Sequence, residues 1–276
     1  MTTLIAATDF SALAENAVSY AAAIAKHYQA RLVLFNAFTV PVSAANGLVT
    51  VAGFDSMLLD NRNRLKKKAE QVAENYGIVV NYESSYCIIL DELKNLLAKY
   101  QAELVVLGME PDSLTQDLFG NTTTVMIRKL NCPVLAVPEG AHFDGLKKII
   151  FACDMLHGLP TDILLRIKAM AIVLKAEVEV FFVEEKTDRT GAGRAGSSDS
   201  EVIATALEGI AYSYKEIRSD AVITEIRQEI LSAEADLLIM VPKEYGFWSS
   251  VMHRSKTRSM ASGLTIPLLA MPVYPS

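Results

Sequence analysis

The chain repeats its own sequence, and this repetition is the feature that most limits what it can fold into. The apolar run LIAATD at residues 4–9 returns as IIFACD at residues 149–154. Two further segments recur in the same order, first ELVVLG as DLLIMV and then CPVLAVP as IPLLAMP. Three landmarks in one order, about a domain length apart, predict a duplicated domain rather than one large fold.

Strand patterns and helix patterns alternate through both halves. The short apolar runs 4–7 and 104–107 are typical of strands buried on both faces, whereas 12–28 and 55–76 are typical of helices. Strands that alternate with helices join through right-handed crossovers and form a parallel sheet. We therefore predict an α/β fold of two tandem, doubly wound domains with five-stranded parallel sheets.

The predicted domains cover residues 1–140 and 146–276, and residues 139–145 are interpreted as the linker. The predicted strands lie at 4–7, 31–36, 78–83, 104–107, 134–137, 148–152, 176–183, 215–218, 237–241 and 268–271. The predicted helices cover 12–28, 55–76, 91–100, a segment ending near 130, 161–174, 200–214, 222–232 and 254–262.

Composition excludes several classes of protein. The 276 residues are 51% hydrophobic, which is enough for two cores, and the net charge of −6 argues against binding of nucleic acid. The chain has no signal-peptide pattern and no apolar stretch of the ~18 residues that span a bilayer. Its cysteines, Cys87, Cys132 and Cys153, form no C-x-x-C motif and fit a reducing compartment. We expect a cytoplasmic protein that binds neither nucleic acid nor membranes.

Three surface segments receive an interpretation from their composition. Residues 37–54 are long and apolar for a loop, which indicates a lid or a contact surface. Residues 191–198 are rich in Gly and Ser and indicate a flexible loop. The basic side chains of residues 62–68 are interpreted as a solvated helix face. His27, His142, His157 and His253 are scattered, so no zinc site is expected.

Candidate binding residues follow three of the predicted strands. Asp9, Asn36 and Gly108 stand at the ends of the first, second and fourth strands, and they would converge on one crevice if the strand order is 3-2-1-4-5. Gly120-Asn121-Thr122-Thr123 then begins a helix, whose free N–H groups and positive dipole end suit an anion. A carboxylate for the sugar and a helix start for the phosphates together indicate a nucleotide.

This arrangement resembles the universal stress protein family over essentially the whole chain, as a tandem pair. The resemblance rests on Asp9, Gly108, the Gly120 helix start and the CPV segment before the fifth strand. It implies an adenine nucleotide alpha hydrolase-like fold and an internal pseudo-dimer, in which 134–137 would pair with 268–271. That pairing would cover two apolar edge strands.

The same resemblance implies roles for individual residues. Asp9 would contact ribose or adenine, Asn36 or Ala37 would lie near the base, and Gly108 would open the phosphate loop. Three further residues would hold the phosphates of ATP: Gly120, Asn121 and Thr122. Apart from the resemblance, Asp9 with Asp117 or Asp112 could hold magnesium, but only with phosphates present to share it.

Several positions depart from the nucleotide-binding signature of this family, which is a glycine, two residues, a second glycine, about nine residues, and Gly-Ser or Gly-Thr. Pro111 replaces the second glycine and has no N–H to donate, while Glu110 and Asp112 add negative charge. The following spacing is one residue short. In the second half, VPKE replaces the glycine loop and Arg254 stands where glycine is expected. The second half is therefore interpreted as degenerate.

We expect a non-catalytic, cytoplasmic stress-response protein whose first domain binds ATP. The alternatives are a nucleotide-free interaction scaffold, a weak ATP hydrolase, and a binder of another small molecule under the loop at 37–54. Lys243, His253 and Arg254 are interpreted as surface or interface charges, and Trp248 as a packing or interface residue. The protein partner is not identified by the sequence, and association of two chains is left open.

Overall fold

The computed structural model describes residues 2–38, 50–109, 122–153, 161–184, 197–242 and 264–273. The described residues divide into two compact units. The first holds those up to Met109 and 132–143, and the second holds 122–131 and those from Asp144 onward. The domain limits at 140 and 146 and the internal pseudo-dimer stay predictions.

The first unit contains five parallel strands in the order β3-β2-β1-β4-β5, as predicted. The order reverses between β1 and β4, because β1 is the middle strand and pairs with β2 on one side and with β4 on the other. Its elements are β1 (Thr3–Ala7), α1 (Ala12–His27), β2 (Arg31–Phe38), α2 (Val51–Tyr76), β3 (Val80–Tyr86), α3 (Ile89–Tyr100), β4 (Leu104–Met109) and β5 (Val134–Pro138).

The central strands are apolar because helices cover both of their faces. Every residue of β1 is buried, and in register Ala6 lies between Leu34 of β2 and Val106 of β4. The start of α1 is fixed by Ser11, whose Oγ accepts a hydrogen bond from Ala14 N at 3.2 Å. The end of α2 is fixed by Gly77, which adopts φ +66° as the predicted stop.

The second unit repeats this plan with the parallel order β10-β9-β6-β7-β8. The two orders correspond strand by strand, so the sequence repeat is a repeat of topology and the predicted α/β fold is confirmed. Its elements are α4 (Thr122–Lys129), β6 (Lys148–Cys153), α5 (Thr161–Leu174), β7 (Glu177–Glu184), α6 (Ser197–Ala206), β8 (Tyr212–Arg218), α7 (Val222–Ser232), β9 (Leu237–Met240) and β10 (Leu268–Ala270).

Some predicted boundaries are wrong. The predicted loop 37–54 is shorter, because β2 continues to Phe38 and α2 begins at Val51 after the Thr50 cap. The predicted helix 200–214 ends instead at Ala206, because Gly209 adopts φ +86° and Tyr212 begins β8. The third strand lies later than predicted, at Val80–Tyr86.

Other predicted features fall partly or wholly outside the described residues. The Gly/Ser segment ends in α6, which already includes Ser197, and residues 191–196 lie outside. The helix predicted at 254–262, Lys243, His253 and Trp248 also lie outside. Within the described part of the chain, no helix combines the length and apolarity needed to cross a membrane.

Candidate functional site

The turn from β1 into α1 places an acidic side chain at the carboxyl edge of the first sheet. Thr8 N–H donates to Phe35 O at 2.8 Å, which holds the turn against β2. Phe10 adopts φ 64°, and its N–H donates to Thr8 Oγ1 at 2.9 Å. Ser11 N–H donates to Asp9 Oδ1 at 2.9 Å. These bonds orient the Asp9 carboxylate while its residue stays exposed.

The Asp9 carboxylate is also held in its charged form. Partial burial raises the pKa of Asp9, but hydrogen bonds from the Ser11 side chain and from the backbone N–H groups of Ser11 and Asp9 outweigh it. The net effect lowers the pKa of Asp9 below its ordinary value of 3.8. Asp9 is therefore an oriented, exposed anion at neutral pH, which can accept hydrogen bonds from sugar hydroxyls or other donors.

Hydrogen bonds through the Asn36 side chain connect the carboxyl ends of β1, β2 and β3 to α2. Its side chain is buried, and Nδ2 donates to Thr8 O at 2.7 Å. Its Oδ1 accepts from Asn61 Nδ2 at 2.7 Å, and the same Asn61 nitrogen donates to Ser84 Oγ at 2.8 Å. Both ends of the Asn36 amide are thus engaged in holding the edge together. Contact of Asn36 or the half-buried Ala37 with a base stays a prediction.

Gly108 lies inside β4 and does not end the strand. It pairs in register with Val137 of β5, and β4 continues to Met109. A Cβ at this position would lie 2.7 Å from Leu13 Cγ and 3.2 Å from Leu13 O. The prediction that Gly108 ends the fourth strand is wrong, because the strand ladder extends past it. The absence of a side chain here allows the first turn of α1 to pack against β4.

One face of α2 places polar side chains next to the turn after β1 and the start of α1. Asn61, Arg64 and Lys68 are spaced three and four residues apart, so they share a helix face. The Arg64 guanidinium carbon lies 4.0 Å from the centre of the Phe10 ring, and Lys68 forms an ion pair with Glu15 of α1. The interpretation of residues 62–68 as a solvated face holds for Arg64, which is exposed, but is wrong for Lys68, which is half-buried in its ion pair with Glu15.

The predicted phosphate contacts fall mostly outside the described residues. Thr122 begins α4 and is exposed, whereas Thr123 and Thr124 are buried. Gly120, Asn121 and Pro111 lie outside the described ranges. The roles predicted for Gly120, Asn121 and Thr122 stay predictions.

An aromatic cluster lies at the carboxyl ends of β2 and β3. The Phe54 ring of α2 meets Phe38 at a centroid distance of 6.4 Å and Tyr86 at 5.3 Å, both edge to face. Tyr86 is 61% exposed, so the cluster presents ring surface to solvent. Such surfaces suit apolar or planar groups. Among the described side chains, no three of His, Cys, Asp or Glu are grouped to hold a metal ion.

Comparison with known proteins identifies one family for the first half of the chain. The profile of the Universal stress protein family matches residues 1–138. A universal stress protein of Methanocaldococcus jannaschii is 26% identical over 140 residues, which cover 49% of this chain and 81% of that protein.

Two solved structures share the fold over nearly the whole chain. A universal stress protein from Archaeoglobus fulgidus superposes with a TM-score of 0.68 at 15% sequence identity. The match covers 98% of this chain and 96% of the Archaeoglobus chain. A putative universal stress protein from Pseudomonas aeruginosa superposes with a TM-score of 0.56 at 14% sequence identity. The match covers 99% of this chain and 93% of the Pseudomonas chain. At these identities the likeness concerns the fold alone.

Proposed function

Because the chain belongs to the universal stress protein family, whose profile matches residues 1–138, we propose that its first half binds an adenine nucleotide and that the protein acts without catalysis in a cytoplasmic stress response. The Asp9 carboxylate carries this proposal. It is exposed, ionised and oriented at the carboxyl end of β1. Ligands of open α/β sheets bind at this edge, where the strand order reverses between β1 and β4.

The side chains around Asp9 have the chemistry that a nucleotide requires. Asp9 would accept hydrogen bonds from ribose hydroxyls, which are neutral donors that an anionic acceptor binds well. Arg64 is an exposed cation on the α2 face that meets Phe10, so it can supply charge to phosphates. This cation supports ATP as the ligand even though Pro111 lacks an N–H for the phosphate loop. Magnesium would enter only together with the phosphates.

We propose a structural role for the second half. In the second half, the residue that corresponds to Gly108 is Val241, and Pro242 follows it, which cannot donate a backbone hydrogen bond to phosphate. The partner of the whole protein is proposed to be another protein, and nucleotide occupancy of the first half would alter that association.

Calorimetric titration with ATP and magnesium tests the proposal, after native mass spectrometry of the protein as purified. We expect micromolar binding by the wild type and at least a tenfold loss in Asp9→Ala, which corresponds to about 1.4 kcal/mol. Asp60→Ala is the matched control, because Asp60 is an exposed carboxylate of α2. Retained binding in Asp9→Ala would reject the assignment of Asp9, and absence of binding by the wild type would reject nucleotide binding.

A nucleotide-free interaction scaffold is the second candidate, and two contacts favour it. Leu13 fills the space beside Gly108, and Asn36 uses both ends of its amide within the protein. A scaffold predicts no bound nucleotide in the purified protein and no heat on titration. Proteins that co-purify with the chain would then be the same for the wild type and Asp9→Ala.

We propose that bound ATP is not hydrolysed. Incubation of the protein with ATP and magnesium, followed by measurement of phosphate release, tests this point. We expect the rate to equal that of the buffer. A rate above the buffer that falls in Asp9→Ala would favour a weak ATP hydrolase instead.

A further inference from the structure

The outer face of α5, in the second unit, carries a row of exposed apolar side chains. Leu165 is 51% exposed, Ile172 56% and Val173 66%. Leu165 and Ile172 are two helical turns apart and share a face, and the exposed Ala169 lies between them. Single exposed apolar residues are ordinary, whereas a row of them along one helix indicates an interaction site. We call Leu165, Ala169, Ile172 and Val173 the α5 patch.

The repeat allows α5 to be compared with α1, its counterpart in the first unit. Both helices stop at a residue with left-handed backbone, which is Gln29 with φ 52° after α1 and Lys175 with φ 55° after α5. The next residue is an alanine in both halves, and its N–H donates to the carbonyl five residues back, at 2.8 Å in the first half and 3.0 Å in the second. The two helices are therefore in register when residues are counted back from this stop.

In this register the α5 patch is a property of the second half alone. Its three large side chains stand where α1 carries exposed polar ones. In the order Leu165, Ile172 and Val173, the counterparts are Ser19, Lys26 and His27. The buried positions of α5, in contrast, are matched by buried apolar residues of α1. The fold thus requires apolar residues on the inner face of the helix but not on the outer face, so the patch serves a contact with another molecule.

The pattern of α5 is complementary to a second α5 that runs in the opposite direction. Leu165 and Ile172 are equally far from a point between Lys168 and Ala169. In an antiparallel pair centred on that point, Leu165 of each copy lies against Ile172 of the other, as a two-fold symmetric contact requires. The small side chain of Ala169 lies at the centre, where it allows the two helices to approach closely.

Charges at the two ends of α5 favour the same arrangement. Asp162 lies three residues before Leu165, and Lys175 lies three residues after Ile172, and both charged residues are exposed. In the antiparallel pair, Asp162 of each copy comes to the end of the second helix that carries Lys175. A parallel pair would bring like charges together instead, which costs energy.

Two further cations flank the α5 patch without interrupting it. Arg166 is half-buried, and its Nη1 donates to Pro272 O of its own unit at 2.9 Å. Lys168 is half-buried at the margin of the patch, where its aliphatic stem can pack on a second helix while the ammonium group stays in water. A surface that binds anionic lipid gathers cations around its apolar residues, whereas here Asp162 stands at one end and the whole chain has a net charge of −6.

We propose that the α5 patch is a homodimer contact, in which α5 of one protein pairs antiparallel with α5 of a second copy. The patch is small beside the interfaces of stable complexes, which bury about 800 Å² on each partner, so the dimer is transient and forms at high protein concentration. Association stops at two chains, because the contact uses the same patch on both copies. It involves no residue of the proposed nucleotide site and does not depend on nucleotide.

Sedimentation equilibrium of the full-length protein over a wide range of concentration tests this proposal. We expect a reversible monomer–dimer equilibrium for the wild type. The triple variant Leu165→Ser, Ile172→Lys and Val173→His carries the side chains that α1 has at these positions, and we expect its dissociation constant to rise by about tenfold or more. Leu231→Ser is the matched control, because Leu231 is 71% exposed on α7, outside the patch, and it should keep the wild-type constant.

Three outcomes would overturn the proposal. One is a wild type that stays monomeric at every concentration, and another is a triple variant that associates like the wild type. The third is an equal loss in the triple variant and in Leu231→Ser, which would indicate unspecific association. A monomeric wild type that cosediments with phosphatidylserine vesicles, and a triple variant that does not, would assign the patch to a lipid surface instead.

Exchange of the end charges tests the orientation and leaves the apolar residues intact. In Asp162→Lys, two lysines face each other at both ends of the antiparallel pair, and we expect weaker association. Adding Lys175→Asp in the same chain restores opposite charges, so the double variant should regain the association that Asp162→Lys loses. Circular dichroism establishes that both variants are folded. Folded variants without this recovery would overturn the antiparallel pairing.

Discussion

The Asn61 side chain of α2 donates from Nδ2 to Asn36 Oδ1 of β2 across 2.7 Å. This bond sits beneath the proposed nucleotide site, because Asn36 in turn donates to Thr8 O in the turn that carries Asp9. It also fixes the face of α2 on which Arg64 lies over Phe10. The amide pair of the buried Asn36 and the half-buried Asn61 thus connects the turn that carries the anion with the helix that carries the cation.

Loss of the Asn61 amide should destabilise the first unit. In Asn61→Ala, the buried Asn36 Oδ1 and Ser84 Oγ lose a donor, and we expect the free energy of unfolding to fall by about 1–3 kcal/mol. Urea denaturation followed by circular dichroism measures the change. Asn63→Ala is the control on the same helix, and its exposed side chain should change stability by less than about 0.5 kcal/mol. Equal effects of the two variants would contradict a special role for Asn61.

Strand order and buried strands were predictable because their signals are local. Continuous apolar runs such as residues 4–7 identify strands buried on both faces, and their alternation with helices restricts the order of strands. The ends of strands and helices were harder to predict wherever the element borders a segment with a weak hydrophobic pattern. Gly209 is an example, because the helical pattern runs on to Tyr214 but the left-handed glycine ends α6.

The packing reason for Gly108 leads to a second prediction. A Cβ at this position meets Leu13 Cγ at 2.7 Å and backbone atoms of Leu13 at 3.2 and 3.3 Å, so the start of α1 must move. We expect Gly108→Ala to lower the free energy of unfolding by about 1–3 kcal/mol.

A double-mutant cycle separates this clash from other effects of the alanine. Leu13→Ala removes the side-chain contact at 2.7 Å but leaves the backbone contacts. We expect Gly108→Ala to cost less in the Leu13→Ala background, by about 0.5 kcal/mol or more. Additive changes in thermal and urea unfolding would show that Leu13 is not the source of the strain.

The candidate site was predictable only in part. The position of Asp9 follows from the end of an apolar run, and the edge it occupies follows from the strand order. Arg64 and Asn61 could not be placed from the sequence alone, because a helix face has no fixed partner until the packing of α2 is known. The sequence predicted that Gly108 ends the fourth strand, whereas Gly108 lies inside β4 and packs against Leu13, a contact that only the fold reveals.

A third prediction concerns the start of β6. The Asp236 carboxylate accepts from Lys147 N at 2.7 Å and from Lys148 N at 2.9 Å, while Asp236 N–H donates to Lys148 O at 2.9 Å. We expect Asp236→Ala to lower the free energy of unfolding of the second unit by about 1–2 kcal/mol, because two backbone donors lose their acceptor. Asp236→Asn keeps an oxygen acceptor and should lose less. Glu208→Ala serves as an exposed control, and a loss as large as that of Asp236→Ala would argue against the capping role.

The pH dependence of stability tests the electrostatics of the site without any ligand. The pKa of Asp9 is lowered in the folded state, so its contribution is fully present above the ordinary value of 3.8 and is lost as pH falls through the folded value. Thermal unfolding of the wild type should therefore weaken more steeply than that of Asp9→Asn between about pH 5 and about pH 2.5. Ser11→Ala should fall between the two, because it removes the side-chain donor but keeps the backbone N–H. Asp60→Asn should follow the wild type, and parallel profiles for Asp9→Asn and the wild type would mean that the turn after β1 does not hold Asp9 in its charged form.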